Sequence, residues 1–321
     1  MIYKRAELHN HSTESDGTMT ISQLVKYASD HKFGVLAITD HNTCSGHKKA
    51  DEEVRKNKFD IAILKGVEVT TFYGHILALG LQHMIDFTEL DPDNPDAFFI
   101  KLKAEGGTAV GIAHPFCLGA PLMIGCRFEM KVRNWCNVNY IEVFNTSSGL
   151  GAMADGMSGN EQALYLWEEL VLQGYKIAAV TGKDIHGMPK EEPVFITYAM
   201  MEKEPDSLTD SILSAILRQS TVITRGPLFS SEVVNGKLKV RFDNTSTYFN
   251  WDRHYREYQT KLQIKWNDQT VDEWGTDLEQ EFEIPLKKGT CAAVIKLYDA
   301  VCDFDHLLAV GAPVRWKGEM E

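Results

Sequence analysis

Short apolar runs alternate with longer stretches of mixed polarity over the first two thirds of the chain. Residues 2–8 read as a strand. Residues 20–32 carry Ile21, Leu24, Val25 and Ala28 at helical spacing, and Thr20 with Gln23 fits a capping box at the start. A strand at 34–38 follows, then a helix near 46–57, a strand at 61–66 and an apolar run at 74–81. Pro95-Asp96 opens a helix that runs through Ala104, and Gly106-Gly107 ends it. Strands at 108–113 and 139–144, a helix at 160–173 that stops at Gly174, and a strand at 176–181 complete the series. Repeated strand-then-helix units predict a mostly parallel sheet covered by helices. In such folds functional groups gather at the carboxyl ends of the strands.

After Pro227 the helical period disappears. Ser231–Val240, Thr260–Trp266 and Cys291–Ala300 read as strands, with turn signals at Asn235-Gly236, Asn267-Asp268 and Lys288-Gly289. The expectation is a helix-bearing domain over residues 1–227 and a small antiparallel β domain over 228–321. Asp303, Asp305 and His306 read as surface turn residues.

The apolar runs end repeatedly in metal-ligand types. His9 and His11 follow the first strand two residues apart, which points both imidazoles to one side. Asp16, His41, Glu68, His75, His114, Asp184 and His186 extend the series. Imidazole and carboxylate together suit Zn²⁺, Mn²⁺ or Fe²⁺. Any one of these histidines alone would be read as a hydrogen-bonded structural residue. Nine candidate groups are too many for one tetrahedral ion. His31, His47, His83 and His254 receive no role, and His47, at a helix start, is expected to be solvated.

Composition narrows the class. At 44% hydrophobic and 24% charged residues, the chain is an ordinary globular one. A net charge of −12 argues against a general nucleic-acid binder. No apolar stretch approaches the roughly 18–20 residues that span a bilayer, and the N-terminus lacks a signal-peptide core. The six cysteines show no metal or framework spacing, so free thiols in a cytoplasmic protein are expected.

The ordered motifs His9-Asn10-His11-Ser12, Asp16-Gly17, Thr39-Asp40-His41, Gly66-Val67-Glu68-Val69-Thr70, Gly74-His75-Ile76-Leu77, Ala113-His114-Pro115 and Asp184-Ile185-His186 resemble the polymerase-and-histidinol-phosphatase (PHP) metallohydrolase family. The resemblance covers roughly residues 1–225 and extends to the subgroup with an appended C-terminal β domain. It implies a distorted (β/α)7 barrel holding three divalent metal ions and hydrolysing phosphoesters. His9, His11, Glu68 and Asp184 would hold the first ion. Glu68 would bridge to a second, completed by His75 and His114. Asp16, His41 and His186 would hold the third. A hydroxide shared between the ions would attack the phosphoester, which makes Glu68, Asp184 and His186 the groups closest to the chemistry. Asp16 stands where some relatives have His, which hardens the third site toward Mn²⁺ or Fe²⁺.

Around these groups, Asp40 is expected to orient a metal-bound imidazole. Arg127 is a candidate phosphate clamp, with a surface salt bridge as the plain alternative, and Arg133 lies in the same segment. Glu142 is weighed between a contact at the site and a structural role. Lys183 is weighed between a substrate phosphate contact and a solvated strand end. The expected substrate is a small phosphorylated metabolite or nucleotide, and self-association is left open. Hydrolysis of a carboxylic ester, carbamate or amide is the alternative, and a non-catalytic module is the second.

Overall fold

β1 (Ile2–Glu7), β2 (Val35–Ile38) and β3 (Ala62–Thr71) run parallel, with Ala6 opposite Val35 and Val35 opposite Ala62. The computed structural model describes residues 1–146, 157–189, 194–243, 259–279 and 281–317. Every residue of β2 is buried, because helices pack outside the sheet and the next strands cover its other face. α1 (Ile21–Asp30) joins β1 to β2 and begins with the expected Thr20–Gln23 capping box. α2 (Gly46–Asn57) joins β2 to β3.

His47, expected to be solvated, is instead buried at the start of α2. Its Nε2 lies 2.8 Å from the Gly66 carbonyl, bracing α2 against β3. A helix N-terminus that abuts two strand ends leaves no room for water there. His254 lies outside the described residues.

The sheet is not mostly parallel. β4 (Gly74–Leu79) pairs antiparallel with β3, and β5 (Ala109–Ile112) pairs antiparallel with β4. Only Phe72 and Tyr73 separate β3 from β4, and so short a link can join only antiparallel neighbours. Parallel pairing resumes from β5 to β6 (Tyr140–Asn145) and β7 (Ala178–Gly182), with α3 (Asp96–Ala104) and α4 (Gly159–Leu172) as outer helices. On the other side of β1 lies β8 (Ile196–Met201), antiparallel to it, and then β9 (Thr221–Thr224), antiparallel to β8 and joined to it by α5 (Leu208–Leu217). The run curls back on itself. The Thr181 N–H donates to the Thr197 hydroxyl at 2.8 Å, and the Thr221 hydroxyl donates to the Ala179 carbonyl at 2.9 Å.

Beyond Pro227 the described residues form strands and turns. β10 (Leu228–Val234), β11 (Lys237–Asp243) and β14 (Phe282–Pro285) make a three-stranded antiparallel sheet. β12 (Thr260–Trp266), β13 (Val271–Thr276), β15 (Ala292–Asp299) and β16 (Leu307–Val310) extend the large sheet instead, with Ala309 of β16 opposite Thr224 of β9. The fold is a mixed α/β one with a large sheet. Buried Glu168 of α4 ties the two regions together through Lys265 and Lys296, at 3.1 and 2.5 Å. All six cysteines are free.

Candidate metal centre

Glu68 sits in the middle of β3, fully buried, where β3, β4 and the ends of β1, β2, β5 and β7 converge. Its Oε2 lies 3.2 Å from His9 Nε2, 3.2 Å from His11 Nε2 and 2.8 Å from His41 Nδ1. Its Oε1 lies 2.8 Å from His75 Nδ1 and 3.2 Å from His114 Nε2. One carboxylate therefore faces five imidazoles. His75 joins them because the β3–β4 hairpin puts Thr70 opposite His75, so both strands present ligands at one end.

Asp184 closes the cluster. Its Oδ1 lies 2.9 Å from His11 Nε2 and 3.5 Å from His9 Nε2. Asp16 lies at the open edge, 3.4 Å from His186 Nε2 and 3.6 Å from His41 Nε2. The His11 ring is stacked between those of His41 and His186, at 4.1 and 4.3 Å. All nine groups read from the sequence come together here, in four overlapping sets whose ligand atoms lie within 4.8 Å of one another. His11 belongs to the set of Asp16, His41 and His186 as well as to that of His9 and Glu68, a sharing the sequence did not suggest.

The donor set fits metal ions better than it fits itself. The Nε2 atoms of His9 and His11 are 3.1 Å apart, close to the about 3.3 Å expected for two imidazoles on one tetrahedral ion. Glu68 Oε2, ringed by three nitrogens, makes no well-directed hydrogen bond to any of them. Burial would raise the Glu68 carboxyl, but His9 and His75 outweigh it and hold the group well below the usual range. Burial opposes the charge on His11 and His114 too, yet Asp184 and Glu68 push His11 up to about 9, and Glu68 chiefly pushes His114 up to about 9. A cation at the centre would take over that role.

Backbone geometry is bent to make the cluster. His114 and Asp184 hold left-handed conformations, with φ of 27° and 52°. Their amides are anchored: His114 N–H donates to Glu142 Oε2 at 3.0 Å, and Asp184 N–H donates to the His9 carbonyl at 2.9 Å. At Gly182 a side chain is impossible, since a Cβ would lie 2.2 Å from Glu142 Oε1 and 2.6 Å from the His9 Cβ.

The groups around the ligands differ from expectation. Asp40 orients no imidazole. It accepts from the Ser12 N–H at 2.7 Å and from the Ser15 hydroxyl at 2.8 Å, and so fixes the loop between His11 and Asp16. Its strand end points beneath that loop rather than at a ring. The imidazole partner is Glu142, whose Oε1 lies 2.8 Å from His9 Nδ1. Thr70, the Cys126 carbonyl and the Asp184 carbonyl accept from the Nδ1 positions of His41, His114 and His186. Thr70 and Asn145 had no sequence signal beyond lying in strands that lead to the centre. Asn145 Nδ2 donates to Glu142 at 3.2 Å and Asp184 at 3.4 Å.

Lys183 meets neither expectation. It is 8% exposed, its ammonium donates to the Tyr27 hydroxyl at 2.8 Å, and its backbone N–H donates to buried Glu7. Alternation along the chain turns it to the face opposite Asp184. Arg127 is half-buried with its guanidinium 5.7 Å from the Phe116 ring centre, and it forms no ion pair among the described residues. Arg133 donates to the Asp93 carbonyl and to the Asp96 carboxylate, at the start of α3. Asp303 pairs with His306 at 2.6 Å in an exposed turn.

Comparison with known proteins agrees with this geometry. Residues 7–139 match the family model for the PHP domain. The chain carries a PHP domain. Over 136 residues it is 34% identical to a 3',5'-nucleoside bisphosphate phosphatase of Chromobacterium violaceum, covering 41% of this chain and 43% of that protein. Over 79 residues it is 37% identical to the 5'-3' exoribonuclease Rnm of Escherichia coli, covering 23% of this chain and 27% of that protein. The PHP-bearing chain thus spans less than half the length of these curated relatives. In fold it is similar to a two-domain protein from Bacteroides vulgatus containing a predicted PHP-like metal-dependent phosphoesterase. That match has a TM-score of 0.54 and 16% identity, and covers 97% of this chain and 95% of the other.

Proposed function

We propose that the chain is a metal-dependent phosphoesterase acting on a small phosphorylated metabolite or nucleotide. The reading includes a distorted seven-unit β/α barrel over residues 1–227 and a β-rich domain over 228–321. The observation that carries it is the single buried carboxylate, Glu68, facing five imidazoles. Two phosphoester-cleaving relatives, a bisphosphate phosphatase and an exoribonuclease, support the reaction class. The net charge of −12 favours a small substrate over a polymer.

His9, His11, Glu68 and Asp184 would hold one ion, Glu68 with His75 and His114 a second, and Asp16, His41 and His186 a third. The imidazole and carboxylate donors suit Mn²⁺, Fe²⁺ or Zn²⁺. Divalent ions there supply an activated water and neutralise charge on the phosphoryl oxygens. Glu68 and Asp184 keep the donor atoms of the buried side fixed, because each is clamped between imidazoles. Substrate enters from the open side: the side chains of Asp16, His186 and His41 are 57%, 37% and 20% exposed, against 0% for His9 and His11. Glu142 holds the His9 proton on Nδ1 and leaves Nε2 free for a metal.

One observation favours a second reading, hydrolysis of a carboxylic ester or amide. The lysine beside Asp184 is turned away to Tyr27, which removes one cation that would anchor a phosphate. A panel of phosphomonoesters, phosphodiesters and carboxylic esters, assayed with protein reconstituted in Mn²⁺, Fe²⁺ and Zn²⁺, separates the two. Turnover of carboxylic esters alone would reject the phosphoesterase.

A further inference from the structure

Beside the His75 and His114 side of the centre lies an apolar rim that none of the ligand chemistry uses. Among the described residues, six of the fourteen large hydrophobic side chains left exposed come from two short segments. Phe72 (78% exposed) and Tyr73 (46%) form the β3–β4 turn, and Leu118 (44%), Leu122 (77%), Met123 (45%) and Ile124 (65%) lie on the loop after His114. From Leu118 to Cys126 that loop has no charged, hydroxyl or amide side chain. Exposed apolar surface of this kind is uncommon away from binding sites.

The two segments form one fixed surface. The Glu129 N–H donates to the Tyr73 carbonyl at 2.8 Å, and the Phe128 N–H donates to the Pro115 carbonyl at 3.0 Å. Gly125, at φ 85°, lies so close to the turn that a Cβ would sit 2.5 Å from the Thr71 carbonyl. The same backbone carries ligands. Tyr73 is two residues from His75, about 7 Å along a strand. The Cys126 carbonyl accepts from His114 Nδ1 at 3.1 Å. A phosphoester seated at the centre would therefore have one side of its organic group next to the rim. Arg127 is the cation of this segment.

We propose that Phe72, Tyr73 and the Leu118–Ile124 loop seat the organic group of the substrate, and that the preferred phosphoester carries an aromatic or extended apolar group. The inference rests on the phosphoesterase reading. A preorganised rim costs little to order, so burial of apolar carbon on it appears as selectivity. A compact sugar phosphate or phospho-acid gains nothing there.

The test compares two primary-alcohol phosphates with leaving groups of similar acidity, ethyl phosphate and 3-phenylpropyl phosphate. With metal-reconstituted protein, kcat/KM should be at least about tenfold higher for the phenylpropyl ester. Leu122→Asp and Phe72→Ala, at sites exposed enough to spare the fold, should bring the ratio to within about twofold of one. A ratio near one in the wild type, or a ratio untouched by both substitutions, overturns the inference. Calorimetric titration with 3-phenylpropylphosphonate and ethylphosphonate gives a second readout that needs no turnover. If neither ester is hydrolysed, the ester panel decides the phosphoesterase reading and the titration decides the rim by itself. Tighter binding of the phenylpropyl compound, levelled by Leu122→Asp, supports it; equal affinities or no binding of either reject it. Preference for phosphatidylcholine vesicles in sedimentation, with no ester selectivity, would assign the rim to a membrane surface and also overturn the inference.

Discussion

Glu142 Oε1 lies 2.8 Å from His9 Nδ1, and both side chains are fully buried. The same carboxylate accepts the His114 amide through Oε2, so one residue of β6 fixes ligands from β1 and β5. Replacing it with glutamine keeps the size but removes the charge that holds the His9 proton on Nδ1. Glu142→Gln should weaken metal binding about 10–100-fold. Titration of the metal-free variant with Mn²⁺, followed by calorimetry, would measure this. Affinity equal to the wild type would show that the contact is only structural.

Glu68 faces five imidazoles, so its loss should reach every ion. Wild-type protein purified without chelator should carry more than one transition-metal ion per chain by elemental analysis. Glu68→Gln should carry fewer and lose at least about 10²-fold in turnover, since shared activation of water needs both ions. Circular dichroism should stay native, because apolar residues build β3. A wild-type ratio of one or less after reconstitution rejects the multi-ion centre.

The metal-free protein should respond to pH in a definite direction. His11 and His114 are pushed up to about 9, above the ordinary 6.5. Groups raised on folding stabilise fully below their unfolded pKa and lose that contribution as pH rises through the folded value. The melting temperature of the apo protein should fall between about pH 7 and 9. Metal binding requires neutral imidazoles, so it should release protons at pH 7. A rising apo melting temperature across that window, or no proton release, would contradict the geometry.

Asp40 clamps the loop between two ligands through Ser12 and Ser15. Asp40→Ala leaves the buried Ser12 amide and hydroxyl without their acceptor. A loss of about 2–4 kcal/mol in urea unfolding is expected. Metal stoichiometry should drop chiefly at Asp16, the loop's far end. Unchanged stability would mean that water replaces the carboxylate.

Asp303 and His306 pair in an exposed turn and belong to none of the four candidate sets. Asp303→Asn, Asp305→Asn and His306→Ala should each leave metal content and turnover within a few-fold of wild type. Loss of an ion in any of them would show that the C-terminal strands supply a ligand.

All nine candidate groups that cluster around Glu68 were legible as residue types following apolar strands, because strand period and strand ends are local properties of the chain. So were α1 with its capping box and the β character beyond Pro227, although Ser231–Val240, read as one strand, spans the β10–β11 hairpin that turns at Asn235-Gly236. The antiparallel β3–β4 hairpin was less visible. The two-residue link at Phe72-Tyr73 was in the sequence, but its consequence for the sheet depended on reading β3 as ten residues rather than six.

What tertiary structure alone decided was direction and partnership. Lys183 faces Tyr27, Asp40 serves a loop rather than a ring, and His47 braces a helix, because each answer depends on residues distant in the chain. Glu142 finds His9 across 133 positions of sequence. The chain by itself determines which side chains are available and which strands end in them. Which proton, loop or ion each one holds follows from packing between strands, and no spacing along one strand encodes that.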